Sequence, residues 1–178
     1  VDLSPEGHQP MPSPSGRFAI VFNGEIYNFR ALRKDLDDRG CRFRGHSDTE
    51  VLLNGFEVWG IEKTLRKSVG MFAIALWDER EQRLHLVRDR VGEKPLYYGQ
   101  VNGSLVFSSE LKAFKQFPDF SADVNRDALT LMMRHNYIPA PHSIYQGVSK
   151  LPAATMLTVS GDSVTDWHIS TYWDFDSA

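Results

Sequence analysis

An apolar run over residues 18–21 leads directly into Asn23-Gly24, and a helical pattern over residues 29–36 follows. An apolar run followed by Asn-Gly is typical of a buried strand that ends in a turn, and Leu32 and Leu36 would share one helical face. We therefore predict a strand, a turn and a helix in that order. At such a junction the amide of Asn and the backbone N–H of Gly can point into one cleft, which suits an oxygen that becomes negative in acyl transfer. The alternative is an ordinary strand–turn–helix connection without a functional role, because Asn-Gly is common in turns.

The composition favours one globular domain, or one domain with a tail, since the chain has 178 residues of which 42% are hydrophobic and 24% are charged. A net charge of -3 offers no basic surface for nucleic acid or for an anionic membrane. No apolar run approaches the roughly 20 residues of a membrane span. The single cysteine excludes an internal disulfide framework and agrees with a reducing compartment, so we expect a cytoplasmic protein.

A capping-box pattern opens the next helical segment, with Ser47 as the cap and Glu50 reaching back to it. We predict helices from this point to about residue 59 and over residues 61–67. A capping box uses only its first and fourth residues, so it gives no role to Asp48. A carboxylate in the first helical turn is favoured by the helix dipole and could hold a substrate ammonium group.

Four strand-like segments follow with short connections, at residues 71–78, 83–89, 96–98 and 105–108. The first is almost continuously apolar, which is typical of a strand covered on both faces. We predict that the four strands form one antiparallel meander. Alternation in the second segment places His85 on the exposed face of that strand.

The later part of the chain predicts a helix that begins near Asn125, with Leu129, Met132 and Met133 as its apolar stripe. Such a stripe is core packing by default. A strand is predicted over residues 155–159.

The sequence does not favour a metal site, because the six histidines are scattered and one cysteine cannot form a thiolate cluster. It does not favour a phosphate site either, because no glycine-rich phosphate loop is present. Cys41 and His46 could form a thiol–imidazole dyad. Nothing in the sequence directs either group toward Asn23. In the loop before the first strand, Gln9 is expected to be solvated.

Five motifs in order resemble the glutamine-hydrolysing domain of asparagine synthetase, a class II glutamine amidotransferase of the N-terminal-nucleophile hydrolase kind. The motifs are residues 22–28 (FNGEIYN), 47–50 (SDTE), 70–73 (GMFA) with Trp77-Asp78, 89–92 (DRVG) with 94–97 (KPLY), and 108–112 (SSELK). The resemblance extends over essentially the whole chain. It implies an α+β fold, a four-layer α-β-β-α sandwich of two antiparallel sheets whose first strands are missing, with residues 1–178 as one amidotransferase domain.

The resemblance also implies roles for individual residues. The Asn23 side chain and the Gly24 backbone N–H would form the oxyanion hole. Asp48 would hold the α-ammonium group of glutamine, and Glu25 and the backbone of Val1 would make further substrate contacts. In that family an N-terminal cysteine attacks the side-chain amide, ammonia leaves, and a glutamyl thioester is hydrolysed. No metal is implied in this domain.

The family's N-terminal cysteine and its carboxylate-binding arginine belong upstream of Val1, and the synthetase domain, with its ATP and Mg, belongs after Ala178. We therefore expect this chain alone to be inactive, with glutamine and its own missing synthetase domain as partners. Exposed sheet edges would permit a homo-oligomer. The same fold serving another acceptor, or a catalytically dead binding module, are the alternatives.

Overall fold

Fourteen elements make up the computed structural model, which describes residues 7–176 apart from the side chain of Val164. They are β1 (Met11–Pro12), β2 (Phe18–Ile26), α1 (Phe29–Asp37), α2 (Asp48–Trp59), α3 (Ile61–Lys67), β3 (Gly70–Asp78), β4 (Arg83–Arg88), β5 (Tyr97–Val101), β6 (Ser104–Ser108), α4 (Leu111–Phe114), α5 (Arg126–His135), β7 (Val148–Lys150), β8 (Thr155–Ser160) and β9 (Ser163–Thr171). All strand pairings are antiparallel, in a sheet of order β1-β2-β3-β4-β8-β9 and a sheet of order β6-β5-β7.

Two apolar cores hold the layers together, which confirms the predicted α+β sandwich. The first core joins α1, α2 and α3 to one face of the six-stranded sheet, and its largest members are Phe18, Ile20, Ile26, Leu36, Leu52, Leu53, Phe56, Leu65, Phe72, Ile74 and Tyr172. The second lies between the two sheets and includes Leu86, Leu96, Tyr98, Leu151, Leu157 and Val159. The one-turn helix α4 and helix α5 lie in the chain between β6 and β7 of the three-stranded sheet. The helices predicted at residues 48–59 and 61–67 are confirmed.

The predicted four-stranded meander is wrong, because the chain changes sheets after β4. Strands β3 and β4 pair in the six-stranded sheet, whereas β5 and β6 pair in the other. The buried Asp89 holds the loop at which the chain changes sheets. Its carboxylate accepts backbone N–H bonds from Phe72 at 3.3 Å, Val91 at 3.2 Å, Glu93 at 2.9 Å and Lys94 at 2.9 Å. The connecting loop is thereby fastened to β3 and leads the chain across to the second sheet.

Arg88 supports the same loop from the other side. Its guanidinium donates to the carbonyl oxygens of Lys94 at 2.8 Å, Gly92 at 2.6 Å and Leu151 at 2.7 Å. Burial lowers the pKa of Arg88, while the neighbouring carboxylate of Asp89 raises it in part. The loop therefore has a cation and an anion at its base, each saturated by backbone groups rather than exposed to water.

His85 is buried, not exposed as predicted. In β4, Leu84 and Leu86 face the core between the sheets, and His85 and Val87 face the helical layer. Both faces of β4 are covered, so alternation cannot separate an inner from an outer face. The His85 Nδ1 lies 2.9 Å from the hydroxyl of Thr158, and burial lowers the pKa of the imidazole.

The stripe on α5 is also not core, in contrast to the prediction. Leu129, Met132 and Met133 are 42%, 45% and 80% exposed, and only Ala128 of this helix is buried. The helix is amphipathic, but its apolar stripe lies at the surface of the described chain and is only partly covered.

An ion pair between Arg17 and Asp78 secures the start of β2 against the end of β3, with 2.7 Å between guanidinium Nη2 and carboxylate Oδ2. Burial acts to raise the pKa of Asp78, but the hydrogen bonds from Arg17 and from backbone N–H groups outweigh it and hold the pKa below its usual value. A carboxyl group whose pKa is lower in the folded state stabilises the fold at pH values above its unfolded-state pKa of about 3.9. That stabilisation is lost as the pH falls through the folded-state pKa.

We therefore expect Arg17→Gln to lower the free energy of unfolding by about 2 kcal/mol at neutral pH, since it removes a charge-assisted hydrogen bond to a buried carboxylate. The difference from the unmodified protein should shrink as the pH falls below the unfolded-state pKa of about 3.9 and through the lowered folded-state pKa of Asp78, where the carboxylate becomes protonated. Urea unfolding at a series of pH values measures this. Arg80→Gln is the control, because the Arg80 side chain is largely exposed and, among the described residues, forms its ion pair with the exposed Glu81. A difference that is independent of pH would contradict the assignment.

Candidate functional site

The edge of β2 that faces away from β3 carries backbone N–H groups with polar partners. The N–H of Phe22 donates to Gln9 Oε1 at 2.7 Å, and the N–H of Ile26 donates to Asp48 Oδ2 at 2.9 Å. Backbone N–H groups alternate in direction along a strand, so the N–H of Gly24 points to this same edge. Strand β1 pairs with β2 only as far as Ile20. The Gly24 N–H therefore lies on an edge that β1 does not cover.

Gly24 is required by the close approach of β3, not by a turn. A Cβ at this position would lie 2.2 Å from the carbonyl oxygen of Met71 and 2.6 Å from the Cα of Phe72. The predicted turn at Asn23-Gly24 is wrong, since β2 continues in register with β3 to Ile26 and the chain turns only after it. The sequence correctly indicated that Gly24 is structurally important, but the expected reason, a turn, was wrong.

The Asn23 side chain lies on the face of β2 that is opposite the helical layer, toward the three-stranded sheet. It is exposed, and its Nδ2 donates to the hydroxyl of Ser109 at 3.0 Å. Ser109 follows directly after β6, so this bond links the two sheets at the rim of the sandwich. The role of Ser109 was missed from the sequence. Its motif was noted, but 86 residues separate the two partners and no local pattern connects them.

Asp48 stands at the start of α2 with its carboxylate against β2. Oδ2 accepts the N–H of Ile26, and Oδ1 accepts the N–H of Thr49 at 3.0 Å. A carboxylate has about four acceptor positions, so two hydrogen bonds leave capacity for a cation. Asp48, which has no role in the capping box, is thus the residue whose side chain reaches the edge of β2.

The capping box itself is only half correct. The Ser47 hydroxyl accepts the N–H of Glu50 at 3.2 Å, as predicted. The Glu50 carboxylate instead accepts the N–H groups of Arg44 at 2.6 Å and Gly45 at 2.9 Å. It therefore fixes the loop before α2 rather than the cap residue. Gln9 likewise is not a solvated residue, because its side chain holds the edge of β2.

The remaining predicted contacts lie at or beyond this rim. Glu25 is exposed and follows Gly24 in the strand. Partial desolvation raises the pKa of the Tyr27 phenol, and the negative charges of Glu93 and Glu25 raise it further. The rim is thus locally acidic, which favours a cationic group. Val1 lies outside the described residues.

Cys41 and His46 do not form a reactive dyad at this rim. Desolvation raises the pKa of the Cys41 thiol, and the charge of Asp37 adds to the rise. Cys41 packs against the core on the helical side of the sheet, whereas the Asn23 side chain is on the opposite face. Within residues 7–176, no three His, Cys, Asp or Glu side chains form a group that could hold a metal ion. None of the described helices is long and apolar enough to cross a membrane.

Comparison with known families gives a match to the glutamine amidotransferase domain over residues 1–173. Among curated proteins, asparagine synthetase [glutamine-hydrolyzing] 3 of Bacillus subtilis is 37% identical, over 96% of this chain and 28% of its own length. A putative asparagine synthetase [glutamine-hydrolyzing] of Mycobacterium tuberculosis is 33% identical, over 92% of this chain and 26% of its own. Amidase chry2 of Gibberella zeae is 30% identical, over 99% and 25% respectively. The chain thus spans about a quarter of the length of these relatives.

Solved structures match the fold at lower sequence identity. The glutamine phosphoribosylpyrophosphate amidotransferase of Bacillus subtilis superposes with a TM-score of 0.69 at 19% identity, over 97% of this chain and 33% of that one. A second structure, described as the allosteric regulatory enzyme of purine biosynthesis, gives 0.69 at 21% identity, over 94% and 32%. At these identities the likeness concerns the fold alone.

Proposed function

Because this chain belongs to the family of glutamine amidotransferase domains, we propose that the free edge of β2 binds glutamine and promotes the hydrolysis of its side-chain amide. One observation carries the proposal: the Gly24 N–H and the Asp48 carboxylate occupy the same strand edge. They are two residues apart along β2, since Asp48 accepts the N–H of Ile26. That separation is about 7 Å, which is comparable to an extended glutamine side chain.

In this arrangement each group has one task. Asp48 holds the α-ammonium group of glutamine by a charge-assisted hydrogen bond, and the acidic rim at Glu25 supports the same charge. The backbone at Val1 is proposed as a further substrate contact. At the other end, the Gly24 N–H and the Asn23 amide donate to the side-chain carbonyl oxygen. Both donors are neutral and fixed in a strand, so they favour the oxyanion of a tetrahedral intermediate over the uncharged carbonyl.

The proposed reaction proceeds through a thioester. A thiolate attacks the amide carbon, and the carbon–sulfur bond forms as the carbonyl electrons move to oxygen. The carbon–nitrogen bond then breaks, and the nitrogen takes a proton and leaves as ammonia. Water next attacks the thioester, which gives glutamate and returns the thiol.

We propose that a polypeptide of residues 1–178 alone does not carry out this reaction. Cys41 is its single cysteine, and it is packed on the helical side of the sheet with its thiol pKa raised. An oxyanion hole without a nucleophile retains only a small part of the acceleration. The attacking thiol must therefore come from outside these residues.

The acceptor of the ammonia is proposed to be aspartate, by analogy with the relatives named as glutamine-hydrolysing asparagine synthetases. The synthetase partner would be the part of such a protein that lies outside the matched quarter. A second candidate is an amidotransferase for a different acid, because amidase chry2 matches the chain over nearly its whole length. Isotope transfer from [amide-15N]glutamine in the complete protein distinguishes them by which acid receives the label.

Asn23→Ala is expected to lower kcat for glutamine hydrolysis about 100-fold in the complete protein that carries this chain, with little change in KM. Loss of one oxyanion donor removes an interaction that is strongest in the transition state, and such losses cost about 10²–10³ in kcat. The control is Asn102→Gly, at the exposed turn between β5 and β6, where the φ of 48° suits glycine. Equal kinetics for the Asn23 variant and the control would refute the oxyanion role.

A further inference from the structure

The two proposed oxyanion donors differ in how they are held. The Gly24 N–H belongs to the backbone of β2, which pairs with β3 from Phe18 to Ile26 and so fixes its direction. The Asn23 amide is instead the end of an exposed side chain, which can rotate about its side-chain torsions. A donor aids the reaction most when it is directed at the oxygen before charge develops there. The Asn23 amide therefore needs a support that the Gly24 N–H does not.

The hydroxyl of Ser109 is the contact that holds this amide. The Asn23 Nδ2 donates to Ser109 Oγ at 3.0 Å, and the Asn23 side chain has no other hydrogen bond among residues 7–176. An amide nitrogen carries two hydrogens, so this bond uses one of them and leaves the second for the cleft. Holding Nδ2 in place also restricts the rotation of the Asn23 side chain. The entropy of ordering the donor is thus spent in folding rather than during the reaction.

Ser109 can act as a support because the segment that carries it is anchored at both ends. Before it, β6 pairs with β5 as far as Ser108, which lies opposite Tyr97. After it, helix α4 carries Phe114, whose side chain is fully buried. Between these anchors the Glu110 N–H donates to Ser108 Oγ at 3.1 Å. The Ser109 hydroxyl is therefore presented from an ordered junction between a strand and a helix.

We propose that Ser109 is a positioning residue, whose hydroxyl directs the free Nδ2 hydrogen of Asn23 at the side-chain carbonyl oxygen of bound glutamine. This inference rests on the proposed function, because it requires Asn23 to donate to that oxygen. Ser109 does not itself contact the substrate and acts only through Asn23. An ordinary contact between the two sheets is the alternative, and it would contribute to stability without a selective effect on the transition state.

A neutral hydroxyl suits this role because of the charge that develops nearby. A carboxylate at position 109 would accept the same N–H, but its negative charge would lie close to the proposed oxyanion and would oppose it. A serine oxygen accepts the hydrogen bond without carrying a charge. Ser109 can therefore orient the Asn23 amide and leave the effect of that amide on the oxyanion intact.

Ser109→Ala should lower kcat for glutamine hydrolysis about 10-fold in the complete protein that carries this chain, with KM within about twofold of its original value. The donor is still present but is no longer directed, so the loss is smaller than the about 100-fold expected when the donor itself is removed. Ser109→Thr keeps the hydroxyl and should recover most of the activity. The matched control is Ser108→Ala, because the Ser108 hydroxyl accepts the Glu110 N–H rather than the Asn23 amide; it should leave both constants unchanged.

A double-mutant cycle separates positioning from a general effect on the fold. If Ser109 acts only through Asn23, adding Ser109→Ala to Asn23→Ala should cause no further loss of kcat, because the group that Ser109 directs is already absent. A general disturbance of the fold would instead lower activity in both backgrounds and would raise KM as well. Circular dichroism of the four proteins in the cycle should show the same fold.

The same set of variants distinguishes a failure of this inference from a failure of the proposed function. A fully active Asn23→Ala variant would overturn the oxyanion role of Asn23 and, with it, the role of Ser109. An impaired Asn23→Ala variant beside a fully active Ser109→Ala variant would overturn the role of Ser109 alone. Equal losses from Ser108→Ala and Ser109→Ala, or losses that add in the double variant, would also overturn it.

Discussion

Gly24→Ala is expected to lower the free energy of unfolding by about 3 kcal/mol, at the upper end of the usual cost of overpacking. The added Cβ would meet the Met71 carbonyl oxygen at 2.2 Å and the Phe72 Cα at 2.6 Å. Both are backbone atoms of the neighbouring strand, so no side chain can rotate away. The strands must separate at this point, and the N–H proposed as an oxyanion donor moves with them. Urea unfolding followed by circular dichroism measures the loss.

Gly16→Ala is the matched control. Gly16 has a φ of +76°, and a Cβ there would meet nothing within 4 Å. Its replacement should cost only the left-handed conformational penalty of about 1–2 kcal/mol. If the two alanine variants were equally stable, the contact between Gly24 and β3 would not be the constraint that the fold implies.

Asp89→Ala is expected to lower the free energy of unfolding by about 4 kcal/mol, the largest effect of any single substitution considered. The side chain is fully buried and accepts four backbone N–H groups, including that of Phe72 in β3. Each buried donor left without an acceptor costs about 1–3 kcal/mol, and partial rehydration of the loop offsets some of the total. Arg88 also loses its neighbouring carboxylate, a further cost.

Asp162→Ala serves as the control, because Asp162 is exposed in the turn between β8 and β9. Its loss should change stability by less than about 0.5 kcal/mol. Amide hydrogen exchange adds a local readout, since Asp89→Ala should release the amides of Glu93 and Lys94. A variant that unfolds at the same urea concentration as the unmodified protein would show that the loop does not depend on Asp89.

Local signals in the sequence were sufficient for much of the fold. Helix α2 follows from its Ser47 cap and its apolar spacing, and β3 follows from a continuous apolar run. The sheet that each strand joins was not predictable in this way. That choice depends on Asp89, whose partners are tertiary contacts, and a short connection alone favoured a meander.

The roles of the candidate site residues stay predictions, but the sequence indicated the residues themselves for the same reason. Asn23, Gly24 and Asp48 belong to short motifs, so the sequence indicated them. Gln9 and Ser109, which form hydrogen bonds with Phe22 and Asn23, are distant from them in the sequence and were not recognised. The α5 stripe shows another limit: an amphipathic pattern establishes that a helix has an apolar face, but not that the face is covered within the same chain.

The most direct test of the account is glutamine hydrolysis by the complete gene product, once its mass and N-terminal residue are known. We expect a protein heavier than 20.3 kDa with an N-terminal cysteine to release glutamate and ammonia in equal amounts, and residues 1–178 alone to release none. A complete protein that begins with this cysteine and forms no glutamate contradicts it. So does a complete protein of 20.3 kDa that begins at Val1, for which only a binding role would remain.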